Sequence, residues 1–93
     1  MKFLNDPKRV EMLMEIAQSL LYTAEDIIQA EGNRYNVRVS TYLSKASNIL
    51  DIITDFVEID EEDDAEFYRW YETLCKTHQR LEEEYYFGGD LDD

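Results

Sequence analysis

The chain has 93 residues, 22 acids against 9 bases, and a formal net charge of −13. Residues 1–50 hold six acids and six bases and sum to zero, so the whole excess lies in residues 51–93, where 16 acids meet only Arg69, Lys76 and Arg80. Such a charge repels phosphates and anionic lipids, which excludes unassisted binding to nucleic acid or to an acidic membrane surface.

Ninety-three residues make one domain, here expected over 1–87 with an acidic, flexible tail at 88–93. The chain is 44% hydrophobic and 13% aromatic, too apolar for a disordered acidic segment. One proline and three glycines leave little material for loops and favour long helices. Cys75 is the only cysteine, so no intrachain disulfide can form. The N-terminus lacks the apolar run of a signal peptide, and no stretch approaches the ~20 apolar residues that cross a bilayer. A cytoplasmic protein is the expectation, in the host cytoplasm if phage-encoded.

The first helix is predicted over 7–31. Asp6 serves as N-cap, Pro7 fits the first helical position, and Gly32 supplies a C′ residue. Val10, Leu13, Ala17, Leu20, Ala24 and Ile27 recur at three and four residues and predict its buried stripe. Ile16, Leu21 and Ile28 widen the stripe, and Met12, Met14 and Tyr22 add further apolar area; core filling is the first reading of the methionines, and a self-association face is the other.

The second helix is predicted over 35–58, capped by Asn33 or Asn36. Val39, Tyr42 or Leu43, Ala46, Ile49 or Leu50, Ile53, and Phe56 or Val57 carry its period. The alternation over residues 36–42 resembles a strand, but one strand has nothing to pair with. A third helix is predicted over 61–86. Asp60 is its N-cap, and the acids after it complement the positive end of the helix dipole. Its apolar line runs through Phe67, Trp70, Tyr71, Leu74, His78, Leu81 and Tyr85, and Gly88-Gly89 ends it. The predicted fold is all-α: a small, elongated, up-down-up three-helix bundle with helices ~37 Å long. So elongated a chain exposes much side surface, and pairing with a second copy is a reasonable expectation.

The functional candidates follow the charge. Asp51, Asp55 and Glu58 fall at i, i+4 and i+7, one face of the second helix. Asp63, Asp64, Glu66, Glu72, Glu82, Glu83 and Glu84 are expected to continue a row of carboxylates along the third. A rigid row of this kind can imitate a phosphate backbone and occupy the basic groove of a nucleic-acid-binding protein, displacing its counterions. Asp51, Asp55, Glu58, Glu72, Glu82, Glu83 and Glu84 have no capping role that explains them locally. Tyr68 falls off the core stripe, among charges, Tyr86 and Phe87 sit past the last well-defined turn, and all three are the expected partner contacts.

Catalytic and metal-binding readings have less support. Cys75 and His78, at i and i+3, make half a metal site with no further Cys or His to complete it. The acid run lacks the glycine and alternating ligands of a calcium loop. The strings Glu58-Ile59-Asp60-Glu61 and Glu61-Glu62-Asp63-Asp64 match the carboxylate motifs of helical nucleotide pyrophosphohydrolases, yet they overlap at one turn and cannot face each other. No phosphate loop or nucleophile–base pair is visible. No cofactor is expected.

The expected function is therefore a non-enzymatic inhibitor or regulator of a basic, nucleic-acid-binding protein. In size and charge, though in no motif, the chain resembles the phage-type DNA mimics that counter restriction or CRISPR systems. The alternative is a helical adaptor or regulatory subunit that docks a partner by apolar helix packing, with the charge serving solubility.

Overall fold

The structure, a computed structural model, describes residues 6–31 and 37–87, and only the backbone at Glu31, Tyr86 and Phe87. The expected caps at Gly32, Asn33 and Asn36, the stop at Gly88-Gly89, the tail and the side chains of Tyr86 and Phe87 lie outside the described residues. Three helices follow one another: α1 (Pro7–Glu31), α2 (Val37–Phe56) and α3 (Ala65–Phe87). They pack as a three-helix bundle measuring 47 × 20 × 19 Å. Its radius of gyration is 14.5 Å, against ~12 Å for a spherical domain of this length. No described helix is long and apolar enough to cross a membrane.

α1 starts as the sequence predicts. The Asp6 carboxylate accepts from Lys8 N–H at 3.0 Å, and the Asp6 carbonyl accepts from Arg9 and Val10. The buried line is Val10, Met14, Ala17, Leu21 and Ala24, all fully buried. Leu13 and Leu20, placed in the expected stripe, are only half-buried, and Met14 fills the core. Val10, Ala17, Ala24 and Ile27 are buried as expected, and the other two core positions fall one residue later, at Met14 and Leu21, giving strict steps of four and three.

α2 repeats the same steps with Val39, Leu43, Ala46, Leu50 and Ile53, and Val57, just past its end, adds the next. Two antiparallel helices with matching heptads interlock as in a coiled coil, and Ala17, Ala24 and Ala46 let the backbones approach closely. The α1–α2 interface is accordingly the most extensive in the bundle. Each large side chain buried there contributes ~1.5–3 kcal/mol.

α3 lies over this pair more loosely. Among its described side chains only Leu74 and Leu81, one heptad apart, are buried, and Phe67, Trp70, Tyr71 and Tyr85 pack against the core at half-burial. Polar contacts register it instead. Trp70 Nε1 donates to Gln18 Oε1 at 2.7 Å, and Arg80 Nη2 donates to Glu25 Oε2 at 2.6 Å. Both tie α3 to α1. The Tyr71 hydroxyl meets Thr54 Oγ1, which already donates to the Leu50 carbonyl at 2.8 Å and so accepts from Tyr71.

The α2–α3 link departs from expectation at both ends. α2 stops at Phe56 rather than at 58, and α3 begins at Ala65 rather than at 61. The negative end of α2 carries no base in its last turn, and the acids beyond it oppose that dipole. The chain therefore leaves the helix while Val57 and Ile59 stay on the core. Residues 61–64 then form a separate turn, closed by Asp64 N–H to the Asp60 carbonyl at 2.9 Å. Asp60 caps this turn, and α3 opens with Tyr68 N–H bonded to the Asp64 carbonyl.

Candidate functional site

The acids do not form one row. Glu58 lies beyond the end of α2, so only Asp51 and Asp55 remain of the expected helical triplet. On α3, Glu72 and Glu83 are eleven residues apart, three turns of helix, and share the outward face. Arg69 and Lys76 project from that same side. Glu66 and Glu84 lie on another side, and Glu82 turns towards α2.

Three acids that the sequence leaves without a local reason have one. Lys76 Nζ reaches Glu72 Oε1 at 3.4 Å, Arg80 Nη1 reaches Glu84 Oε1 at 3.3 Å, and His78 Nδ1 reaches Glu82 Oε1 at 3.0 Å. The i, i+4 spacing of all three pairs could have revealed them in the sequence. Asp51, Asp55 and Glu83 have no ion pair among the described residues.

The acids gather instead at one pole of the rod, where α2 passes to α3. Asp55, Glu58, Asp60, Glu61, Glu62, Asp63, Asp64 and Glu66 fall within twelve residues, and no base stands between Lys45 and Arg69. All but Asp64 are exposed. α1 begins at the same pole with Lys8 and Arg9, and Arg9 is 3.6 Å from Asp6.

The pole has a built backbone. Asp60 Oδ1 accepts from Glu62 N–H at 2.7 Å and from Asp63 N–H at 2.9 Å, while Asp64 Oδ2 accepts from Asp60 N–H at 3.0 Å. This reciprocal arrangement is related to a capping box. The N–H bonds from Asp63 and Glu62 hold the Asp60 carboxyl below the usual carboxylate range. With Asp60 and Asp64 holding the turn, Glu61, Glu62 and Asp63 stay at the surface.

Tyr68 is not a free surface aromatic. It is half-buried and lines a cleft with Ile53, Thr54, Val57, Ile59 and Tyr71, beneath the acidic turn.

A second polar cluster escapes sequence reasoning. Ser40, Ser44 and Ser47 on α2 share a groove of about 150 Å³ with His78 and Glu82 on α3. The His78–Glu82 pair has the look of a base with its orienting carboxylate. However, His78 Nε2 lies 3.0 Å from the Leu43 carbonyl rather than facing a serine hydroxyl. Carbonyl and carboxylate are both acceptors, so both bonds form only when both ring nitrogens carry protons. In this arrangement His78 clamps α3 to α2 and does not activate a nucleophile.

Cys75 and His78 do not converge on an ion, and no group of three His, Cys, Asp or Glu among the described residues can hold one. Burial pushes the Cys75 thiol up, with the Asp51 and Glu72 carboxylates acting in the same direction against a bond to Tyr71. A protonated thiol is a poor ligand and a poor nucleophile.

No protein-family model, curated protein or solved structure matches the chain.

Proposed function

We propose that the protein is a non-enzymatic binding protein that engages a basic, nucleic-acid-binding protein through the acidic pole between α2 and α3, competing there with nucleic acid. The observation that carries this reading is the pole itself: eight carboxylates in twelve residues with no base among them. Two of these residues, Asp60 and Asp64, fix the turn that presents the others. Carboxylates crowded on a rigid turn repel one another, and a basic surface relieves that repulsion while releasing its counterions. A compact pole fits this better than a row along the helices, because bases and ion pairs interrupt the acids of α3. The carboxylates would steer and attach, and Tyr68, which lines the cleft beneath the turn, would add apolar contact.

The test is capture on the immobilised chain from cell extract, with and without excess duplex DNA. A second immobilised chain carries Glu58→Gln, Glu61→Gln, Glu62→Gln and Asp63→Asn, leaving the Asp60 and Asp64 carboxylates in place. The expected result is a set of nucleic-acid-binding proteins retained by the native chain, displaced by DNA and lost from the neutralised one. Retention that is indifferent to both DNA and neutralisation contradicts the proposal.

A further inference from the structure

The α2–α3 link builds a cleft from residues on both sides of it. Ile53 and Val57, at the end of the α2 seam and joined by Val57 N–H to the Ile53 carbonyl at 3.0 Å, are buried. Ile59 in the link, and Tyr68 and Tyr71 near the start of α3, are half-buried, and Thr54 is exposed. Together these six residues line a cleft of about 170 Å³. That is below the ~300–1,000 Å³ of sites that hold small molecules, and it suits one long side chain. The two tyrosines differ. The Tyr71 hydroxyl donates to Thr54, whereas the Tyr68 hydroxyl bonds to none of the described residues.

We propose that this cleft seats one arginine side chain of the protein partner. This rests on the reading of the acidic pole as the site for a basic protein, and it names the side chain that anchors there. Charge selects the occupant. Glu58 stands between the lining residues Val57 and Ile59, and Asp60 follows Ile59 directly. Burial pushes the Tyr71 hydroxyl up against its bond to Thr54, and the Asp51 carboxylate adds to the rise, so Asp51 too lies within electrostatic reach. No base falls between Lys45 and Arg69 in the sequence, and Arg69 projects from the outward face of α3. An apolar cleft in a negative field takes a side chain with an apolar stem and a positive head.

Among cationic side chains, arginine fits better than lysine. Its planar guanidinium stacks on aromatic rings and is more weakly hydrated than an ammonium, so entering a half-buried cleft costs it less. The stem lies against Ile53, Val57 and Ile59, and the guanidinium against Tyr68, whose hydroxyl can accept one of its N–H groups. Arginine in a desolvated pocket is a common centre of binding energy, and it is also a side chain with which proteins hold phosphates. A partner arginine seated here is withdrawn from nucleic acid, which gives the competition a specific contact.

An NMR titration of the full chain with the peptide acetyl-Gly-Arg-Gly-amide, at constant ionic strength, tests this. The expected result is saturable shifts of the Ile53, Val57 and Ile59 methyls and of the Tyr68 ring, with a dissociation constant on the order of millimolar. The same peptide with lysine should bind at least ~3-fold more weakly, and with citrulline, similar in shape but uncharged, at least ~10-fold more weakly. Tyr68→Leu keeps apolar bulk but removes the ring and hydroxyl. It should weaken the arginine peptide at least ~3-fold while helicity by circular dichroism is unchanged. The peptide comparison is made on the native chain and decides the matter whatever the stability of the variant. Shifts confined to the acidic turn while the cleft methyls stay still, arginine binding no tighter than lysine or citrulline, or a folded Tyr68→Leu chain that binds as the native one does, overturns the proposal. No captured protein enters the titration, so it can fail while DNA-displaceable capture succeeds, and capture can fail while the cleft still takes the peptide.

Discussion

Arg80 on α3 donates to Glu25 on α1 at 2.6 Å and to Glu84 on its own helix at 3.3 Å. One of only three bases in the acidic half therefore joins the two halves of the chain, and the attraction of both carboxylates raises the pKa of its guanidinium. The Arg80 side chain is half exposed, so screening by water keeps the pair modest. Arg80→Ala is expected to destabilise by ~0.5–1 kcal/mol in dilute buffer and by less in high salt. Chemical denaturation with urea at two ionic strengths reads this, and an equal loss at both would mean that packing rather than charge is at work.

Leu21 and Leu74 are both buried, yet in different interfaces. Leu21 sits in the tight α1–α2 seam, and Leu74 holds the looser α3. Leu21→Ala is expected to cost ~3–5 kcal/mol and Leu74→Ala ~2–3 kcal/mol, since a loose site collapses more easily around a cavity. Urea denaturation of the two variants should preserve that order. The reverse order would place the centre of stability on α3.

The Asp60 carboxyl titrates below the usual carboxylate range because Asp63 and Glu62 N–H groups bind its charged form. A depressed carboxylate contributes stability above its ordinary pKa and loses it as pH falls through the folded value. Asp60→Ala should therefore lower Tm relative to the native chain at neutral pH, and the gap should close as pH drops below ~4. A gap independent of pH would show that the cap does not depend on the charge.

Cys75 is half-buried, and its thiol is pushed up mainly by burial. Near pH 8 it should react with a disulfide reagent such as DTNB at least several-fold more slowly in the folded chain than in urea. Equal rates would mean that α3 opens readily.

Much of the bundle is legible in the residues because local and periodic terms agree there. Asp6-Pro7 starts α1, and Val39, Ala46 and Ile53 mark the α2 seam, with burial choosing Leu43 over Tyr42 and Leu50 over Ile49. On α1 two candidate lines run side by side, Leu13 with Leu20 and Met14 with Leu21. The pattern does not separate them until α2 and α3 claim their sides. The α2–α3 link misleads because the apolar period continues through Val57 while the acids oppose a helix end there. Asp60 and Asp64 are two competing caps, four residues apart, and the structure uses both. The pairs Glu72–Lys76 and Arg80–Glu84 could be read from spacing alone. Arg80–Glu25, 55 residues apart, exists only once the bundle has formed.

The most direct measurement of the central claim is the salt dependence of binding between this chain and a nucleic-acid-binding protein that it retains. Engagement through the acidic pole predicts that log K falls steeply and linearly with log salt concentration. It also predicts a shallower slope for the chain with Glu58, Glu61, Glu62 and Asp63 neutralised, and competition from duplex DNA. A flat salt dependence, or the same slope in both chains, would contradict it.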